Sequence, residues 1–249
     1  PVSATMRGRF GNRLDGGGEL RLENGIIADI PVRSVRLPFA WLFDTNTRRL
    51  QGTIRDARAN VSGGQVESRL DLRWGRRLDI EGDVKVRSAD IRALARAAPF
   101  VKDRLGGRLS GQVEFKGRDV RSLKDLEGAF DLALTRAQTF MLPVFSELSD
   151  SLQVTSSDTF SETRARGRFA RGLLRVQPMT VVGPSGHVFI EGSMTSQGSL
   201  DLEVTADTAK LAAAGVAVGL LRPIDLVRRR LIFLHLGGSV RSPIVQPRV

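Results

Sequence analysis

The sequence predicts a mainly β protein: a long, curved antiparallel sheet running as a groove-like meander, with short amphipathic helices packed at its ends. Three observations predict it. Apolar and polar residues alternate with period two over most of the chain, short glycine-containing breaks separate the strand-like segments, and only three segments switch to helical spacing.

The alternation starts in "GGELRLENG", where Leu20 and Leu22 share one face and Glu19, Arg21 and Glu23 the other. Before it, the run Gly16, Gly17, Gly18 reads as a turn. "QGTIRDARANVSGG" is strand-like, with its basic residues spaced singly. "GQVESRLDLRWG" puts Val66, Leu70, Leu72 and Trp74 on one side, opposite Glu67, Arg69, Asp71 and Arg73. "RLDIEGDVKVRS" repeats the scheme with Leu78, Ile80, Val84 and Val86. Further strands are expected near 107–117, 125–137, 160–172, 173–183, 186–196, 198–207 and 230–242. Tight breaks between consecutive strands mean hairpins, and hence an antiparallel meander.

Helical spacing appears first in "SADIRALARAAPFVKDRL", with Ser88 and Asp90 as candidate N-caps. It returns in "FMLPVFSELSDSL", where Leu142, Phe145, Leu148 and Leu152 fall on one face and Pro143 lies near the first turn, where proline is tolerated. The third segment, "TADTAKLAAAGVAVGLLRPIDLVRR", reads as a helix followed by a second short one opened by Pro223. Their uneven spacing excludes a strict repeat. No linker composition divides the chain, which reads as a strand-rich part, 1–77, continuing into 78–249, the two forming one elongated domain or two.

Glycine recurs on the apolar side of the strands: Gly111 between Leu109 and Val113, Gly128 between Leu126 and Phe130, Gly192 between Ile190 and Met194. Such positions mark bends, bulges or close approach of another group. A bent sheet with an apolar concave face is the economical reading, and that face either closes on itself or holds an apolar ligand.

With 249 residues, 41% of them apolar, the chain can bury a core without staples. It has no cysteine, which excludes disulfides and thiolate metal sites. No apolar run reaches the roughly 18 residues of a membrane span; "LAAAGVAVGLL" has eleven. The opening at Pro1, without a leader, raises the expectation of a fragment whose targeting segment lies upstream. The net charge of +11 and pI near 11.3 invite a nucleic-acid reading. Its distribution argues against one, because 33 of 38 basic residues are arginines scattered through strands and stacking aromatics are scarce.

Catalytic constellations are missing. His187 and His235 sit inside strand patterns without a second ligand at metal spacing, and no nucleophile elbow, phosphate loop or zinc-helix motif occurs. Carboxylates such as Asp71, Asp79, Glu81 and Asp83 lie along polar strand faces. The expectation is therefore a protein that is not an enzyme, with no catalytic residue, no metal and no cofactor.

Three local patterns, in order, carry a family resemblance: the "LP.F..L" segment at 142–148, the run "F..G.L.V....VVG..G.V.I.G.....G.LDL" at 169–202, and "L.G.V..P.V.P" at 236–247. Together they resemble the C-terminal region of the AsmA-like (AsmA/TamB-type) proteins of the diderm envelope. The resemblance covers 125–249 well and 78–124 more loosely; over 1–77 it is no more than generic strands. It implies a taco-like curved sheet whose apolar interior conducts phospholipid acyl chains between inner and outer membranes in envelope biogenesis. It also implies a periplasmic location, tethered to the inner membrane through a segment missing from this chain. The implied partners are phospholipid and envelope proteins of either membrane, with no nucleic acid. The residues expected to face the groove are Val113, Phe115, Phe130, Leu132, Leu134, Val188, Ile190, Leu200, Leu202 and Val204. Leu142, Phe145, Leu148 and Leu152 would cap its end. The alternative is a structural or interaction module that assists outer-membrane protein assembly by β-augmentation of a sheet edge.

Overall fold

The computed structural model describes residues 2–9, 11, 13–27, 30–92, 106–137, 160–183, 186–207, 231–240 and 242–248. These residues form one sheet of fourteen strands in which every strand pairs antiparallel with its sequence neighbours. In order they are β1 (Val2–Arg9), β2 (Arg13–Ile27), β3 (Ile30–Asp44), β4 (Arg49–Val61), β5 (Gly64–Trp74), β6 (Leu78–Asp90) and β7 (Arg108–Gly117). After a single 3-10 turn, Leu123–Asp125, come β8 (Leu126–Ala137), β9 (Phe160–Ala170), β10 (Leu173–Gly183), β11 (Gly186–Thr195), β12 (Leu200–Asp207), β13 (Leu231–Ser239) and β14 (Ser242–Pro247). β1 pairs only with β2 and β14 only with β13, so the sheet is open. The ladder crosses position 77 unbroken, with β5 and β6 paired from Gln65↔Arg87 to Trp74↔Leu78.

The hairpins follow turn chemistry. Ser62 and Gly63 (φ 51° and 74°) and Arg171 and Gly172 (φ 51° and 72°) supply the paired positive φ values that match a right-twisted ribbon. At the β3–β4 turn the Asp44 carboxylate accepts the backbone N–H groups of Asn46 and Thr47, each at 3.0 Å. Before β8, the Asp125 carboxylate accepts the N–H groups of Arg121 and Ser122, each at 2.8 Å. These bonds hold both carboxyl groups below the usual carboxylate range. Because strands alternate in direction, β6, β8 and β12 all end on the same side of the sheet, and the connections to β7, β9 and β13 depart there.

Bulges interrupt several ladders, including that of β3 with β4, where pairing shifts between Arg33 and Arg36 and Ser34 takes a positive φ of 51°. Pairing shifts between Ile54 and Ala57 in β4, between Val86 and Ala89 in β6, and between Val176 and Met179 in β10. Asp56 (φ 54°) and Ser88 (φ 56°) occupy the bulges of β4 and β6. The residue after each is a buried alanine, Ala57 or Ala89, whose small side chain fits the tightened bend.

Two expectations change against this architecture, and a third falls largely outside the described residues. Gly16, Gly17 and Gly18 are not a turn; they lie within β2, where Gly16 opposes Trp41 and Gly18 opposes Met6 and Phe39. Ser88 is not a helix cap but a bulge residue; Asp90 takes the capping contact, its carboxylate accepting the Arg92 N–H at 2.9 Å. Of the helices, only residues 91 and 92 of the first are described as helical. The other two segments, with Leu142, Phe145, Leu148 and Leu152, lie outside the described residues.

Candidate functional site

Directly opposed residues in an antiparallel sheet share a face, so the registers trace rows across the molecule. One row runs Met6, Gly18, Phe39, Ile54, Leu70, Gly82, Phe115, Gly128, Phe169, Leu174, Met194, Leu200, crossing β1 to β12 without a charged residue. A second runs Ala57, Ser68, Val84, Val113, Phe130, Gly167, Val176, Gly192, Leu202, Leu236, Val245. Local alternation, repeated strand after strand, thus sums to one apolar surface. All ten residues expected to face a groove lie on it.

Burial along this surface is graded. Its margin beside the departing connections is buried: Val32, Val61, Ala89, Leu134, Thr163, Val181, Ala206 and Ile232 are all at or below 9% exposure. The part on β10–β13 is buried as a cluster that includes Ile190, Leu200, Leu202, Val204, Leu234 and Leu236. Elsewhere, from β3 to β9, the surface is half-buried; Phe39, Ile54, Leu70, Val113, Phe115, Phe130, Leu132 and Phe169 all keep accessible area. The ten residues therefore separate physically. Ile190, Leu200, Leu202, Val204 and Leu134 pack in buried surroundings, while Val113, Phe115, Phe130, Leu132 and Val188 are half-buried.

Glycine shapes the accessible stretch. A Cβ placed on Gly167 would lie 2.6 Å from Cζ of Phe130, one on Gly128 2.7 Å from Cζ of Phe169, and one on Gly82 2.9 Å from Cζ of Phe115. One on Gly16 would lie 2.8 Å from the Trp41 indole. Each ring therefore lies across a facing glycine, filling the space a side chain would take. The result is a low, aromatic-paved floor. Gly111 (φ 146°) and Gly192 (φ 132°) also adopt backbone conformations that other residues avoid. The sequence pattern marks Gly111, Gly128 and Gly192 on the apolar side but does not mark Phe39, Phe169 and Trp41 as rings set opposite facing glycines. The available signal was the cross-strand pairing of aromatics with glycines, which becomes readable once the hairpin registers are known.

The opposite face is polar and ion-paired. The Asp131 carboxylate takes Arg164 through two contacts of 3.2 Å and Arg166 at 2.8 Å. These bonds, Arg164 first, hold its carboxyl below the usual range despite the opposing effect of burial, and the Arg164 guanidinium is raised in turn. Glu19 accepts Arg36 at 2.7 Å and also Arg21, which lowers it likewise. Lys116 and Glu127 approach at 3.4 Å, as do Arg87 and Glu67. Arg168 and Arg175, by contrast, stand directly opposite each other, two like charges without an ion-pair partner among the described residues.

Two partly open hollows of about 780 and 650 Å³ lie toward the low-loop end of β5–β9, sharing Asp71, Glu81, Lys116 and Glu127 in their walls. Charged side chains of both signs line them, with Lys116 and Glu127 common to both. Among the described residues no three His, Asp or Glu side chains converge as metal ligands, and no helix is long and apolar enough to cross a membrane. Comparison of the chain with protein-family models, curated proteins and solved structures finds no match.

Proposed function

We propose that the chain is a non-catalytic lipid-handling module whose apolar sheet face forms a groove for phospholipid acyl chains. The observation that carries this reading is the uncharged row from Met6 to Leu200, half-buried between β3 and β9. A sheet face of this kind must be covered by an apolar layer.

The floor has the properties an acyl chain needs. It is apolar and low in relief, and burying chain against it returns roughly 0.8 kcal/mol per CH₂ before ordering costs. The seven strands of the half-buried stretch, β3 to β9, spaced about 4.8 Å apart, give a path of roughly 29 Å across the sheet. Half of a ~30 Å hydrocarbon core, the depth one lipid tail occupies, is about 15 Å. Such a path is long enough for transit as well as storage. Curvature into a groove follows from the bulges at Asp56, Ser88 and 176–179, since bulges bend and coil a strand. The arginine-rich opposite face would stay solvated or meet anionic headgroups.

This reading takes up the sequence resemblance to AsmA-like proteins, and the chain would then work in the periplasm, between inner and outer membranes and in contact with envelope proteins. In this reading Val113, Phe115, Phe130 and Leu132 touch lipid, whereas Ile190, Leu200, Leu202 and Val204 hold the sheet's core. Organic extraction of the purified chain followed by mass spectrometry tests the reading. Stoichiometric phospholipid is expected. A lipid-free protein that also fails to take up a fluorescent phosphatidylglycerol would overturn it.

A further inference from the structure

Arginine gathers at one corner of the sheet, on the side opposite the departing connections. The turns that join β3 to β4 and β5 to β6 meet there; a Cβ placed on Gly75 would lie 3.2 Å from Cγ of Arg49. Between them is an open hollow of about 900 Å³ whose wall carries Arg49, Arg73, Arg76 and Arg77. All four are exposed, and none has an ion-pair partner among the described residues. Asp79 is the one acid among the described residues of that wall. It stands opposite Arg73, but its carboxylate accepts the Asp119 N–H at 3.1 Å. Asp44, opposite Arg49, is taken by Arg13 at 3.7 Å and by the N–H groups of Asn46 and Thr47. The corner thus keeps positive charge that the fold does not neutralise.

The apolar face runs out to solvent at the same corner. The registers place Leu14, Phe43, Leu50, Trp74 and Leu78 in one row beside the turns. Four of these are half-buried, and Trp74 is 59% exposed. An indole has an apolar body and a polar N–H, and a guanidinium group takes phosphate oxygens in pairs. Side by side, the two suit the boundary between lipid headgroups and acyl chains. A nucleic acid would satisfy the arginines but leave the aliphatic row beside them without a partner.

We infer that this corner docks the protein on an anionic bilayer surface. Arg49, Arg73, Arg76 and Arg77 take lipid phosphates, and Trp74 enters the interface beside them. The inference rests on charge and exposure at two turns and goes beyond acyl-chain binding. A chain that co-purifies with phospholipid but ignores anionic vesicles fails this inference alone, and one that binds vesicles but carries no lipid fails only the groove.

The test is co-sedimentation of the whole chain with vesicles of equal parts phosphatidylglycerol and phosphatidylcholine. Binding is expected there and not with phosphatidylcholine alone. Each arginine near an anionic surface is worth about fivefold in affinity, so Arg76→Gln with Arg77→Gln should weaken binding roughly thirtyfold. Both side chains are exposed in a turn, and their loss leaves the ladder intact. Arg168→Gln with Arg175→Gln removes the same charge at least four strands away, roughly 19 Å, beyond the ~8 Å screening length, and should change binding less than about twofold. In a Trp41→Phe protein, where Trp74 is the remaining indole, emission should shift to the blue with the anionic vesicles. Equal weakening by the two double variants, equal binding to phosphatidylcholine, or an unshifted Trp74 would overturn the inference. So would a DNA duplex bound as tightly as the vesicles and lost in the Arg76→Gln, Arg77→Gln protein.

Discussion

Replacing Gly167 by alanine should reverse the usual sign of a glycine-to-alanine change. Where the backbone is ordinary, as at Gly167, alanine normally stabilises by about 0.4–1 kcal/mol through the unfolded chain. Here the new Cβ would sit 2.6 Å from Cζ and 2.8 Å from Cε1 of Phe130, and closer still to the Arg175 carbonyl oxygen. Carbon pairs settle at about 3.5–4.0 Å. The ring must therefore retreat by roughly 1 Å, and the β9–β10 ladder must give as well, an overpacking cost of about 1–3 kcal/mol. The net expectation is a loss of about 1–2 kcal/mol, or roughly 2–8 °C in Tm for a chain of this size.

Gly52 is the internal control. Its nearest neighbour is Cδ2 of Leu72 at 3.9 Å, so alanine there should be neutral or stabilising. Urea unfolding followed by the fluorescence of Trp41 and Trp74 reads both variants. In a Phe130→Ala background the Gly167→Ala penalty should shrink by at least about 0.5 kcal/mol, the signature of direct contact. A Gly167→Ala protein as stable as the parent, or a Gly52→Ala protein equally weakened, would refute the ring-over-glycine packing.

Other expectations follow from burial and charge. Leu234→Ala, at a site 2% exposed and opposite Val204, should cost about 2–5 kcal/mol, whereas Trp74→Ala, at 59% exposure, should cost much less in the same urea assay. Asp131→Asn tests the arginine cluster. A carboxyl held low by Arg164 and Arg166 contributes stability above its ordinary pKa near 3.9, and the contribution is lost as pH falls through the lowered value. The two proteins should therefore differ slightly at neutral pH and converge in acid, with the gap closed by 1 M salt because the pair is exposed. An equal difference at all pH values would contradict that.

Most of the sheet was legible because one physical rule governs it. In β5, Val66, Leu70 and Leu72 alternate with Glu67, Arg69 and Asp71, and one wet and one dry face leave no other solution. The exceptions have local causes. β3 was not anticipated as a strand, because Pro38, Ala40 and Leu42 put apolar side chains on its polar face and blur the period. The three glycines of β2 looked like a turn because their strand partners, the Trp41 and Phe39 rings, lie more than twenty positions away. The bulges at Asp56 and Ser88 carry a short Arg-Asp-Ala or Arg-Ser-Ala signal that gains meaning only from broken pairing. For the candidate site, the shared face of Val113 and Leu202 was readable strand by strand. Their different burial was not, since it depends on what lies over a face and not on the strand itself.

The claim of an acyl-chain groove is tested most directly by adjacent residues on one strand of the half-buried stretch. Val113 lies on the apolar face of β7, and Gln112 points from the opposite face. With a photoreactive phenylalanine at each position in turn, irradiation in cells or with phosphatidylglycerol vesicles should attach phospholipid to the protein substituted at Val113 and not to that at Gln112. Equal labelling of both, or labelling at Gln112 alone, would contradict the account.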